Sequence, residues 1–361
     1  MSRTSTTILS VLLALAAFFL AAGIEFGYFL LKPVAPNEPC SVMVTEGMPF
    51  AEVAARLKEN GVIASAFDFK VLARMRGQSR QIQAGDYDFG EPAVPGRILD
   101  RMVAGDVRRY KFTIPEGLTV REIAARLDAE NLVEGKKFQQ LAGDRDFIRS
   151  LGIEASSLEG YLFPETYMVV KGMAPERLLR AMVDQFEKHL SPELVADAQK
   201  SDLSPDQMVT LASIIQKEAG NVAEMPLISA VFHNRLRKGM PLQADPTVIY
   251  GLKDFDGNLT RKDLATPTPY NTYRRSGLPP GPIASPGIEA LQAAANPADV
   301  DYLFFVSRGD GTHVFSRTLR EHNRAVQRYQ IHRRTPASSE PSGAGNEGTK
   351  GHGAPEPNGR G

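Results

Sequence analysis

Residues Ile8 to Leu31 are apolar or uncharged at every position but Glu25, and Lys32-Pro33 closes the run. A bilayer core takes about 20 predominantly apolar residues as one helix, so this stretch can cross a membrane once. It is longer than the roughly 7–15-residue apolar core of a secretory signal. Ala21-Ala22-Gly23 still offers a cleavage pattern, so an uncleaved anchor and a removed signal are both open, and length favours the anchor. Arg3 and the α-amine are the only positive groups ahead of the run, so orientation is weakly set. A short head is simpler to leave inside than the whole remaining chain. The expectation is a cytoplasmic head over 1–7, an anchor over 8–31 and the bulk of the protein outside the cytoplasmic membrane.

Beyond the anchor the chain repeats itself at an offset of 70 residues. Over 44–63 against 114–133, seven of 20 positions are identical. Each copy reads as a short strand, a Glu-Gly turn and an amphipathic helix. The apolar stripes are Phe50, Val53, Ala54, Leu57 and Val120, Ile123, Ala124, Leu127, at the i, i+3, i+4, i+7 spacing of a helix face. A strand–helix unit this small hides one face only and must pack on a neighbour. The pattern resembles a LysM-like module, a small fold associated with glycan binding, expected over 40–110 with a second unit over 111–150. A structural spacer that binds nothing is equally open, because neither copy carries an obvious aromatic sugar platform.

Composition removes several classes. Lys+Arg and Asp+Glu both number 42, without the basic excess of a nucleic-acid protein. A single cysteine, Cys40, forbids an intramolecular disulfide and any multi-cysteine zinc site. The histidines form no HExxH or closely spaced pair, and no cofactor is expected. Residues 334–361 hold seven Gly and four Pro and lack large apolar side chains, so a disordered tail is expected there.

Chemistry concentrates after residue 150, in an expected mixed α+β catalytic domain over 151–333. Ser204-Pro205-Asp206-Gln207 is a helix start, with Ser at the N-cap, Pro at N1 and an acid in the first turn. The helix it opens runs to Glu218, and Gly220 is a natural residue just past its end. Glu218 follows Leu211 by seven residues, within about 20° of two full turns, so it shares the face of Leu211 and Ile214. Apolar surroundings and the negative helix end both disfavour its ionised form, which suits a carboxylic acid that must donate a proton near neutral pH. On this segment alone, snorkelling to solvent at a frayed end is the competing reading. Downstream, Asn234, Gln243, Asp245, Thr247, Tyr250, Tyr270 and Asn271 are cleft candidates, each equally able to be a supporting hydrogen-bonding residue. Glu165 and Glu159 are open as a second carboxylate, and holding a loop or touching substrate is the favoured reading. His313, in an expected hairpin strand, reads as structural.

Several segments in this order carry a resemblance: Leu158-Glu-Gly-Tyr-Leu-Phe-Pro-Glu-Thr-Tyr167, Leu211-Ala-Ser-Ile-Ile-Gln-Lys-Glu218, Val231-Phe-His-Asn-Arg-Leu236, Leu242-Gln-Ala-Asp-Pro-Thr-Val-Ile-Tyr250, and Pro269-Tyr-Asn-Thr-Tyr273 through Gly277-Leu-Pro-Pro-Gly281. Over roughly residues 8–330 the chain resembles the endolytic murein transglycosylases of bacteria, the YceG-like proteins. Gln216 departs from relatives that often carry another Glu there, and Glu165 stands where some carry Asp. The resemblance implies a single-pass protein of the bacterial cytoplasmic membrane that acts on peptidoglycan glycan strands and associates with peptidoglycan synthases. It implies that Glu218 alone serves as acid and base, cleaving the bond between N-acetylmuramic acid and N-acetylglucosamine to leave a 1,6-anhydro end. A glycan-binding scaffold without catalysis and a water-using muramidase are the rival functions.

Overall fold

The computed structural model describes residues 3–331; the expected tail over 334–361 and the first two residues of the expected head lie outside the described residues. Helix α1, Arg3–Leu31, begins within the segment assigned to the head. Its Val11–Leu31 portion is long and apolar enough to cross a membrane, which is compatible with a single-pass anchor. The end of α1 is not left bare. Phe26, Phe29 and Leu30 pack on the core of the next unit, and Val34 and Ala93 exchange two backbone hydrogen bonds of 3.0 Å.

The first repeat comprises β1 (Cys40–Val44), α2 (Phe50–Glu59), α3 (Ala66–Met75) and β2 (Gly85–Phe89), followed by α4 (Pro95–Ala104). β1 and β2 pair antiparallel with Val42 opposite Tyr87. Alternation along β1 turns Val42 and Val44 inward to meet Leu57, Phe69, Leu99 and Met102 in a core of this unit's own. The second repeat comprises β3 (Arg109–Thr113), α5 (Val120–Ala129), α6 (Gly135–Leu141), α7 (Arg145–Ser150) and β4 (Thr166–Val170). β3 and β4 again pair antiparallel, with Phe112 opposite Tyr167.

The likeness of the two copies extends past the segment where their sequences align. Tyr87 and Tyr167 are both buried, and each hydroxyl donates at 2.7 Å to the carbonyl four residues earlier, Gln83 and Phe163 respectively. The offset between these tyrosines is larger than the 70 residues of the helices because the second copy has a longer path into its closing strand. That longer path carries Glu159 and Glu165.

The remaining elements are α8 (Pro175–His189), α9 (Pro192–Lys200), α10 (Pro205–Glu218), α11 (Met225–Arg237), α12 (Asp245–Gly251), α13 (Arg261–Ala265), α14 (Ile288–Ala295), the antiparallel hairpin β5 (Phe304–Ser307) and β6 (His313–Ser316), and α15 (Leu319–Val326). The chain is thus a mixture of helices and small antiparallel sheets. α10 lies at the centre and packs against α9, α11, α12 and α14. One continuous core runs from Phe112 in β3 through Ala295, so the second repeat is fused to the elements that follow it, whereas the first is not.

Candidate active site

The central helix is fixed at its start by the residues that announce it. Ser204 Oγ accepts the Gln207 N–H at 3.2 Å, and Gln207 Oε1 accepts the Ser204 N–H at 2.9 Å, a reciprocal capping box. Met208 through Ile215 are all buried. Glu218 is the last helical residue, and the chain leaves α10 in an extended conformation at Ala219. Gly220 is therefore not a left-handed cap. Its role is close approach, since a Cβ there would lie 2.7 Å from the Gly311 carbonyl oxygen at the tip of the β5–β6 hairpin. That hairpin is tied down by His313, whose N–H and Nδ1 meet the two carboxylate oxygens of Glu224 at 3.1 and 2.8 Å.

Glu218 is half-buried, with Leu211 and Ile214 of the same face wholly buried behind it. Burial first, and then the negative charge of Asp245, push its carboxyl up to about 8; the Arg235 guanidinium opposes the shift. Among the described residues no hydrogen bond reaches the carboxylate, so none of them stabilises its ionised form by direct donation. Asp245 opens α12 and is exposed, and its Oδ1 accepts the Tyr273 hydroxyl at 2.5 Å. Arg235 is buried; its Nε donates to the Leu303 carbonyl at 2.7 Å and its Nη1 to the Leu242 carbonyl at 2.6 Å. Its charge therefore reaches Glu218 as a field while its donors tie two loops together. The result is a partly accessible carboxyl, raised by its surroundings, beside a carboxylate held in place by Tyr273.

The other candidates divide. Thr247 and Asn271 are fully buried, and Asn234 nearly so. Thr247 donates to the Ala244 carbonyl at 2.6 Å and pairs with the Thr272 hydroxyl at 2.8 Å. The Asn271 amide donates to the Leu264 and Thr266 carbonyls at 3.1 and 2.7 Å. The Asn234 amide donates to the Val300 and Tyr302 carbonyls at 2.8 and 2.9 Å. These three side chains shape the loops around the site. Gln243 holds a positive φ of 51° with its side chain exposed, two residues before Asp245. Tyr250 and Tyr270 meet edge to face at 4.7 Å, and the Tyr250 hydroxyl donates to Glu159 at 3.2 Å. Glu159, buried and also accepting the Val120 N–H at 3.0 Å, is pushed up to about 7 by burial. Glu165 is exposed just before β4 and accepts its neighbour's N–H, that of Thr166, at 3.0 Å.

The structure thus brings Asp245 to Glu218 and draws Tyr250 and Tyr270 toward Glu159. It also adds Arg235 and Tyr273, which the sequence reading quoted only as letters of a motif. The signal for Arg235 was present: a cation between Val231, Phe232 and Leu236 in one helix has no exposed face to occupy. Among the described residues, no group of His, Cys, Asp and Glu is arranged to hold a metal ion.

Comparison with known proteins now bears on this site. The YceG-like family profile matches residues 42–328. The chain belongs to the YceG-like family. An endolytic murein transglycosylase of Bacillus subtilis (strain 168) is 33% identical over 322 residues, covering 84% of this chain and 89% of that protein. One from Streptococcus pneumoniae serotype 2 (strain D39) is 28% identical, covering 90% of this chain and 65% of that longer protein. The crystal structure of a YceG-like protein from Listeria monocytogenes superposes with a TM-score of 0.55 at 31% identity, over 80% of this chain and 98% of that one. In this YceG-like chain every element of the site lies inside the matched span.

Proposed function

We propose that this protein is a lytic transglycosylase of peptidoglycan, with Glu218 as its single acid and base. Protonated Glu218 gives its proton to the glycosidic oxygen as the bond from C1 of N-acetylmuramic acid to that oxygen breaks. The carboxylate left behind then takes the proton of the C6 hydroxyl of the same sugar, whose oxygen bonds to C1. A 1,6-anhydro end forms, no water is consumed and Glu218 is protonated again. One carboxyl suffices for this cycle, unlike the paired carboxyls of hydrolytic glycosidases. The observation that carries the reading is the half-buried, undonated Glu218 carboxyl, raised to about 8 at the end of the central helix. Asp245, steadied by Tyr273, contributes to keeping the proton in place and has the sign that favours positive charge developing on the sugar. The names of the relatives agree with this chemistry.

The two repeats support a division of labour. Both run strand–helix–helix–strand, the second with one extra helix, which extends the strand–turn–helix pattern likened to a LysM module. The first opens a groove of about 800 Å³ between its Glu46-Gly47 turn and the 79–84 loop, with Phe50 and Arg80 in its walls, and this is where we place glycan engagement. α1 holds that unit at the outer face of the cytoplasmic membrane, near newly made strands and the synthases that make them.

The deciding measurement is mass spectrometry of the products released by the full chain in detergent micelles from purified glycan strands. Fragments ending in 1,6-anhydro sugar are expected. Reducing ends would select a water-using muramidase instead, and binding without release would leave only a scaffold.

A further inference from the structure

The last turn of α10 is gripped from outside, and by the second repeat. Gln216 Oε1 accepts the Gly287 N–H at 2.9 Å, and Lys217 Nζ donates to the Gly117 carbonyl at 3.1 Å. Gly117 N–H donates to the Ser285 carbonyl, and Ser285 N–H to the Leu118 carbonyl, both at 2.8 Å. The Glu116-Gly117 turn and the Gly- and Pro-rich loop ending at Gly287 are therefore bonded to each other and to the two residues that precede Glu218. Glu116 is lodged directly over Gly287, where a Cβ would lie 1.9 Å from its Oε1. Glu116 keeps an exposed side; its partial burial raises the carboxyl, the Gln216 amide counteracts the rise and the neighbouring Glu289 charge adds to it.

A helix end needs such help, because its last four carbonyls have no intrahelical partner and the turn frays. Proton transfer needs the opposite of fraying: a displacement of about 1 Å can cost about 10²-fold in rate. We propose that the Glu116-Gly117 turn, which holds Lys217 directly and Gln216 by way of Gly287, positions Glu218, so that the second repeat serves the reaction by fixing the last turn of α10. Gln216 suits the task because its amide oxygen accepts from Gly287 and brings no charge beside Glu116, whereas a carboxylate at that position would. The corresponding turn of the first repeat makes no such grip: a Cβ on Gly47 meets nothing within 4 Å, and the turn borders the groove.

This inference rests on Glu218 being the acid, so Glu218→Gln is run beside the test variants in the full chain, in micelles, on purified glycan strands. Gln216→Met keeps the length and loses the hydrogen bond from Gly287; kcat is expected to fall about 10-fold or more while KM stays within about two-fold. Gln216→Glu sets two carboxyls against each other, and they must share a proton. Its kcat relative to wild type is therefore expected to decline as pH rises from about 5 to about 8. Glu116→Gln added to Gln216→Glu removes the facing charge and is expected to flatten that decline. A merely structural contact would lower the melting temperature and leave kcat and the pH ratio unmoved. An inactive Glu218→Gln alongside a fully active Gln216→Met overturns the positioning role alone; an active Glu218→Gln overturns the acid on which it stands. Should Gln216→Met fail to fold, a pH-independent ratio for Gln216→Glu overturns the proposal by itself.

Discussion

The two repeats share a helix of identical length, a glycine at the same turn with the same φ of 78°, and a tyrosine that closes the same hydrogen bond. Their surroundings differ completely. The first has its own core, receives the end of α1 and leaves its Glu-Gly turn on an open groove. The second gives its core to the helices that follow and buries Gly117 of its Glu-Gly turn against the last turn of α10, with Glu116 left exposed beside it. The same short pattern thus supplies a strand–turn–helix in both places, and what docks on the turn decides whether it borders an open groove or the last turn of α10.

The comparison breaks at once if chemistry does not reside at α10. Glu218→Gln is expected to lower turnover by at least about 10²-fold while the melting temperature at pH 6 stays close to wild type. Its pH signature is signed. The folded carboxyl, raised to about 8, lies above its ordinary value of 4.5, so the wild type loses stability relative to Glu218→Gln as pH rises through that window. The acid step needs the protonated form, so wild-type kcat should fall as pH climbs past about 8. Asp245→Asn removes a charge that raises Glu218 and should move this alkaline limb to lower pH. A kcat flat to about pH 9 in the wild type would contradict the acid role.

A matched pair sharpens the contrast. Tyr87→Phe and Tyr167→Phe each strip a buried hydroxyl from a carbonyl, at a cost of about 1–3 kcal/mol. In the wild type the Tyr87 hydroxyl also serves the Met102 carbonyl at 3.0 Å. Thermal unfolding should register both losses. Glycan turnover should fall with Tyr167→Phe, whose strand shares the core of α10, and hold with Tyr87→Phe. Equal effects on turnover would mean that the first unit is coupled to the site after all.

Much of this was legible before any coordinates. The apolar run gave α1, capping chemistry placed α10 from Pro205 to Glu218, and periodicity placed α2 and α5. The second half of the repeat was hidden, because the inserted path to β4 shifts the offset and alignment at 70 residues loses Tyr87 and Tyr167. The site was half legible for a different reason. Amides and hydroxyls such as Asn234, Thr247 and Asn271 look alike in sequence whether they meet a sugar or a backbone carbonyl, and only three-dimensional accounting shows them spent on carbonyls. Arg235 and Tyr273 reach Glu218 and Asp245 from segments far apart in the chain, so spacing could not group them.

The finest test of the comparison uses its most nearly equivalent residues. Gly47→Ala and Gly117→Ala put the same methyl on the same left-handed backbone, and each should cost about 1–2 kcal/mol from that strain alone. Local space does not separate them much: the new Cβ at 47 meets nothing, and at 117 it touches Lys217 Cδ at 3.6 Å and Gln216 Cγ at 3.7 Å, ordinary contacts. A similar small drop in melting temperature is therefore expected for both. Their functions should still part. Relaxation of the strained turn at 117 is transmitted through the Lys217 and Ser285 hydrogen bonds to the end of α10, so kcat should fall several-fold at unchanged KM. Relaxation at 47 reshapes only the groove wall, so glycan affinity should weaken with kcat intact. Steady-state kinetics on the two variants, normalised to folded fraction, reads the difference directly; identical kinetic profiles would show that the two turns are interchangeable and that the fusion of the second repeat to α10 has no bearing on the reaction.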